Sequence, residues 1–341
     1  MWEQIRSNRR RSVVLTLLMF VLFAGTSAAL GFAIVPNEDG MHIGLGIGTL
    51  VFLILYLIYA GSPTAVVFAN MDARKLSRED LPILHNVVEE ISIAAGLPKV
   101  PDVYIINEWA PNAFAFGRSP EKAGIAVTAG LLDLLTRDEL QGVVAHEVAH
   151  IKNQDTRFMT LMAVMLGAIV VMADLTWRLV RFQSVSSNRD RDRKQGNQAV
   201  TIALLIALLV SLLAPILARI IYFASSRRRE YLADACAAVY TRYPEGLASA
   251  LEKIEAQAAE MTAVNRAAAP MFIINPLAVE GADSIFATHP PTEKRIEILR
   301  CMAGGTFTAY EQAARSVIGR SVLHRSALMR ESQMHSESPR A

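Results

Sequence analysis

Four apolar stretches govern what this chain can fold into, because each must be taken out of water. The first runs from Val13 to Val35 and the second from Met41 to Ala69, neither holding a charged side chain. Each exceeds the roughly 20 residues that cross a hydrocarbon core of about 30 Å. A third covers 158–177, interrupted by Asp174, and a fourth covers 199–224. Hydrophobic residues make up 52% of the chain and charged residues 19%, below the roughly one quarter usual in soluble domains. A net charge of +2 is too small for a nucleic-acid protein. Two cysteines, Cys236 and Cys301, are neither a disulfide framework nor a paired metal motif. The expectation is a mainly α membrane protein with about four transmembrane or membrane-embedded helices.

The first two stretches are separated only by "PNEDG" and read as a helical hairpin. A basic start and the small residues "GTSAA" would also suit a signal peptide, but the apolar character continues past them to Val35, so the stretch reads as an uncleaved anchor. Residues 1–12 form a basic tail with Arg6, Arg9, Arg10 and Arg11, and Arg74, Lys75 and Arg78 follow the second span. Basic flanks mark cytosolic ends, so both ends of the hairpin are expected in the cytosol.

The next segment changes period. Leu81, Leu84, Val87, Val88, Ile91 and Ala94 recur at helical spacing and stop at Gly96. "PDVYIINE", "NAFAFGR" and "AGIAV" are strand-like, which predicts a small β-sheet and an α+β soluble part. Thr136 and Glu139 stand at capping-box spacing and open a helix.

That helix carries "HEVAH". His146 and His150, four apart, project from one helical face and can share an ion. Glu147 lies about 100° round the helix, placed to take a proton from water at an open coordination position. Two surface histidines are the plain alternative. A catalytic zinc needs a third ligand, and "SSRRREYLADACAA" offers one. Glu230 can complete a His₂Glu set, while Asp234, four residues on, can bond the distal nitrogen of a ligand histidine. Taken alone, without "HEVAH", "RRREYLAD" reads as a solvated charged face.

In order, "HEVAHIKNQDT", "SRRREYLADACAA" and "THPPTEKRIEIL" resemble the HtpX-type membrane zinc proteases, gluzincins related to the CAAX prenyl endopeptidases. The resemblance covers about residues 10–315 and implies one Zn²⁺ held by His146, His150 and Glu230, with Glu147 as general base and Asp234 as supporting acid. It also implies a role for His289 in stabilising the oxyanion, with Arg295 buttressing that region; a histidine before two prolines is otherwise a common loop residue. "PNAFAFG" resembles the family's edge strand, where Asn112, Ala113 and Ala115 would contact an extended substrate; ordinary strand packing is the alternative. The implied organisation is a basic tail (1–12), a transmembrane hairpin (13–69), a first protease segment (70–157), a second apolar pair with a polar loop at 178–198 (158–224), a second protease segment (225–320) and a flexible tail (321–341).

The resemblance further implies a multi-pass protein of a bacterial-type plasma membrane, with its site facing the cytoplasm and quality control of misfolded or damaged membrane proteins as its role. Its partners would be polypeptides and the lipid bilayer. Specific processing of the CAAX-endopeptidase kind and a non-catalytic zinc-containing scaffold are the alternatives. A zinc transporter would want ionisable ligands within the spans, and only Asp174 lies there. Because His150 and Glu230 must meet at one ion, both intervening apolar stretches cross or neither does. Six basic residues against two acids in 178–198 oppose an external loop; the first two spans having set the orientation, crossing is the expectation, and burial in the inner leaflet or around the soluble part is the alternative.

Overall fold

The computed structural model describes residues 2–35, 37–61, 68, 72–186, 227–257, 271–274 and 290–329, with 202, 205, 208–210 and 212–218 of the fourth apolar stretch. His289 and the loop residues 187–201, on which the crossing of the second apolar pair turns, lie outside them. The chain divides into two compact units. One comprises Ser12–Ser62 and Leu161–Ala224, and the other Met1–Arg11, Pro63–Thr160 and Ser225–Ala341.

The hairpin of the first unit is formed by α1 (Trp2–Ile34), from Ser12 onward, and α2 (Glu38–Gly61). The turn is fastened by Asn37, whose side-chain oxygen accepts the Gly40 N–H at 2.9 Å. Gly40, Gly44 and Gly48 repeat every four residues along α2 and are buried. A Cβ at Gly31 would overlap the Gly40 carbonyl, and one at Gly44 the Ser27 carbonyl, so the two backbones approach as closely as only glycine allows. Farther along, Phe20 meets Phe52 edge-on at 4.8 Å. Leu17, Val21, Ile47, Leu50, Leu53 and Leu57 remain exposed, as lipid-facing side chains must be. Val13–Ile34, Glu38–Gly61 and Asp155–Arg178 are three helices long and apolar enough to cross a membrane.

The second unit is built on a four-stranded sheet in the order β1-β2-β4-β3. Its strands are β1 (Ala73–Lys75), β2 (Asp102–Ile106), β3 (Ala113–Gly117) and β4 (Ala123–Thr128). β2 runs parallel to β4, and β1 and β3 are antiparallel to their neighbours. The short β1 was not anticipated. Two of its three residues are charged and show no alternation, and it joins as an edge strand, with Lys75 reaching Asp102 at 2.9 Å.

α3 (Pro82–Ala95) begins with a proline in its first turn and ends at Gly96, whose φ of 63° lets its N–H and that of Leu97 close on Ile93 and Ser92. Thr128 caps the short α4 (Ala129–Leu134) by accepting the Leu131 N–H. α5 (Arg137–Lys152) opens with the capping box, Thr136 and Glu139 each bonding the other's backbone N–H. It is then buried on every side from Gly142 to Ile151. It packs against α3, α7 (Arg227–Thr241) and α8 (Pro244–Ala256). Gly142 permits this, since a Cβ there would lie 2.6 Å from the Leu247 nitrogen on α8.

After a two-residue turn, α6 (Asp155–Ser186) begins three residues before the apolar stretch and continues past its end. α9 (Thr292–Arg300) and α10 (Phe307–Ile318) complete the unit. The tail expected to fray from residue 321 does not do so at once. The Glu311 carboxylate accepts the N–H groups of Val322 and Leu323 at 3.2 and 3.0 Å, and both side chains join the core.

Candidate metal centre

α5 and α7 bring His146, His150 and Glu230 together, their ligand atoms all within 4.8 Å of one another. The two imidazole Nε2 atoms are 3.1 Å apart. Each lies 3.5 Å from a Glu230 carboxylate oxygen. A tetrahedral ion with bonds of about 2.0–2.1 Å needs ligand atoms about 3.3–3.4 Å apart. All three residues are at most 3% exposed.

The far sides of the rings decide what the near sides offer. His146 Nδ1 is 2.9 Å from Asp234 Oδ1, and His150 Nδ1 is 3.3 Å from Asp155 Oδ2. A carboxylate only accepts, so each Nδ1 donates and each Nε2 turns a lone pair inward. Two lone pairs and a carboxylate then face one another in a dry site, an arrangement that a cation satisfies. Burial works against charge on His146, but the Asp234 and Glu230 carboxylates beside it outweigh that penalty and favour positive charge at this site. The donors of the pocket therefore fit a metal.

Behind the ligands stands a second pair of charges. Arg295, fully buried on α9, grips Asp234 with Nε at 2.8 Å and Nη2 at 2.7 Å. Burial opposes the Asp234 charge, but Arg295 and His146 overcome it and hold the carboxyl at about 2. Arg295 thus works through Asp234; its expected support of the region around His289 falls outside the described residues.

Glu147 points from α5 toward β3, where its Oε2 accepts the Ala115 N–H at 2.7 Å. Burial raises this carboxyl above its ordinary value against the pull of the neighbouring histidines, which moves it toward what a base working near neutral pH requires. Asn112, Ala113 and Ala115 lie on or beside β3 as the strand reading required, and all three are buried. His289 falls outside the described residues.

Asp155 was missed. Its carboxylate reaches His150 because α5 stops at Lys152 and Gln154 adopts a φ of 60°, a left-handed conformation uncommon for a side chain of this size. The chain restarts at Asp155 with the acid turned back toward His150. Arg229 lies 3.7 Å from the same carboxylate and stacks over Phe158 at 4.6 Å. The only trace in the sequence is an acid five residues after His150.

The chain is similar to known proteins over most of its length. Residues 79–303 match the model of Peptidase family M48. A "Protease HtpX homolog" from Dictyoglomus turgidum is 42% identical over 304 residues, 88% of this chain and 94% of the relative. Another from Listeria innocua is 39% identical over 309 residues, 89% of this chain and all of the relative. A crystal structure of S. mikatae Ste24p aligns with a TM-score of 0.45 at 18% identity, covering 88% of this chain and 67% of that one. With its matched region spanning both halves of the metal centre, the chain belongs to Peptidase family M48 and is a membrane metalloprotease of the HtpX type.

Proposed function

We propose that the metal is Zn²⁺ and that the chain is an endopeptidase of the plasma membrane, cleaving misfolded or damaged membrane polypeptides from the cytosolic side. The observation that carries the chemistry is the pair of inward Nε2 lone pairs facing Glu230, with both Nδ1 atoms committed to carboxylates. Bound there, Zn²⁺ would polarise a peptide carbonyl and bring the pKa of water toward 7. Glu147 is the base. The Ala115 N–H fixes one of its oxygens, and the carboxylate takes the proton of the attacking water and passes it to the leaving amine. Asp234 and Asp155 hold His146 and His150 in the ligating tautomer. His289 is the candidate for stabilising the oxyanion. The substrate lies as an added strand along β3, an edge strand of the sheet.

The cytosolic assignment rests on the basic residues flanking the α1–α2 hairpin. The membrane substrate class rests on connectivity, since a candidate span begins at Asp155, five residues after His150. A site tethered in this way meets polypeptides leaving the bilayer at high local concentration.

The test is cleavage of an unfolded casein by detergent-purified protein, stripped with a chelator and resupplied with zinc. Cleavage should return with zinc, and Glu147→Gln should lower turnover by about 10²–10⁴-fold while binding as much zinc as the native chain. Equal turnover by the Gln variant would remove Glu147 from the chemistry.

A further inference from the structure

β3 is an edge strand of its sheet, as β1 is, yet all five of its residues are buried. Asn112 accepts the Thr128 N–H, so even-numbered residues turn their backbone groups toward β4. Ala113, Ala115 and Gly117 therefore turn theirs toward the open edge. Part of that edge is already taken by the chain itself. The Ile273 N–H donates to the Ala113 carbonyl at 2.9 Å. Asn112 donates through Nδ2 to the Ile274 carbonyl at 2.7 Å and accepts the Ile274 N–H at 3.4 Å. Arg295 donates through Nη1 to the Ile273 carbonyl at 3.4 Å. The Phe272 ring meets Phe114 edge-on at 4.7 Å, and Ile273 is buried.

We propose that Phe272, Ile273 and Ile274 are a built-in occupant of the substrate's strand position, and that a substrate must displace them to be cut. This rests on the proposed role of β3 as the substrate-binding edge. Every backbone polar group of Ile273 and Ile274 is bonded, and every partner belongs to the site: Asn112 and Ala113 beside β3's start, and the arginine that secures Asp234 behind His146. Those are the bonds an extended peptide would need. Two residues along the same edge, the Ala115 N–H holds the Glu147 carboxylate, so the occupant is in register with the catalytic base. A strand edge has one set of outward groups, and Ala113 cannot serve Ile273 and a substrate together. The occupant also states a preference. A substrate competing for this place gains most by presenting an aromatic residue followed by two β-branched aliphatic ones.

An internal competitor raises the apparent KM and leaves kcat alone. Ile273→Pro removes the N–H given to Ala113. It should lower the KM for unfolded casein about five- to tenfold, the equivalent of one lost hydrogen bond, at unchanged kcat. A second measurement leaves the segment intact. In the Glu147→Gln protein with zinc bound, saturating casein should deprotect the amides of residues 273 and 274 in hydrogen exchange. A folded, zinc-loaded Ile273→Pro variant with native KM, or bound casein with no loss of protection at 273 and 274, would overturn the occupant while leaving the protease intact. Absence of zinc-dependent cleavage by the native chain would instead remove the reading on which the occupant rests.

Discussion

The two ends of α5 carry buried charge to opposite ends. At its start, the Glu139 carboxylate accepts from the Thr136 N–H at 2.8 Å, the Ser249 hydroxyl at 2.6 Å and the Lys253 ammonium at 2.8 Å. The bonds pair acceptors with donors, and the Lys253 side chain remains 39% exposed. At the far end, His146, His150 and Glu230 turn acceptor atoms toward one another, while their surroundings, Asp234, Asp155 and Arg295, are each paired. A closed account of donors and acceptors marks a network that holds the fold. A surplus of one kind, maintained by a closed shell around it, marks one that awaits a ligand.

The sharpest way to break this contrast is to open the closed shell. Asp234→Ala leaves Arg295 as an unpaired charge in a site with no exposure, and removing one partner of a buried pair costs about 3–5 kcal/mol. The thermal midpoint in detergent should fall accordingly. Asp234→Ala combined with Arg295→Met should recover much of the loss, because no charge is then stranded. If the double variant is no more stable than the single one, Asp234 acts through packing and the charge argument fails at this end.

The start of the helix should respond to pH instead. Burial would raise the Glu139 carboxyl, but Lys253, Ser249 and the Thr136 N–H outweigh it and hold it at about 2, against an ordinary value of 4.5. A folded-state value below the unfolded one stabilises above the unfolded value and loses that contribution as pH falls toward the folded one. The contribution is about 3 kcal/mol at neutral pH. Glu139→Gln should therefore be less stable than the native chain by up to that amount at pH 7. The gap should close between about pH 4.5 and 2. A gap independent of pH would show that the hydrogen bonds, and not the carboxylate charge, carry the stability.

How much of this was legible in the sequence follows from how local each feature is. The capping box and the two histidines lie within single turns of one helix, and their spacing alone put them on the right side chains. Glu230 and Asp234 could be picked out because they repeat the four-residue spacing and sit among alanines, though their meeting with α5 is set by tertiary packing. The hairpin was visible as hydropathy, whereas the glycine face that closes it needs two helices at once. β1 was hidden because its charged residues carry no alternation. Residues 272–274 were hidden because their partners, Asn112 and Ala113, lie about 160 positions away, and nothing in "MFII" announces a strand-edge contact.

Asp155 was hidden by a single backbone conformation, the left-handed Gln154 that turns the chain back on itself, and it allows the smallest and most selective probe of the comparison. Its carboxylate lies 3.3 Å from His150 Nδ1 and 3.7 Å from Arg229, both longer than the contacts of Asp234. Asp155→Asn keeps the shape and one acceptor oxygen but loses the charge that favours the Nδ1–H tautomer of His150. Loss of such a supporting partner typically lowers metal affinity about 10–100-fold. Zinc affinity, measured by competition with a chromophoric chelator at fixed pH, should fall within that range, toward its lower end given the longer contact. Glu139→Gln, on the same helix, should leave zinc affinity unchanged. If Asp155→Asn binds zinc like the native chain, the acid serves Arg229 and the helix junction alone, and His150 takes its tautomer from the metal. If both variants lose affinity together, the two ends of α5 are coupled through the helix and the division between a network for folding and a network for binding does not hold.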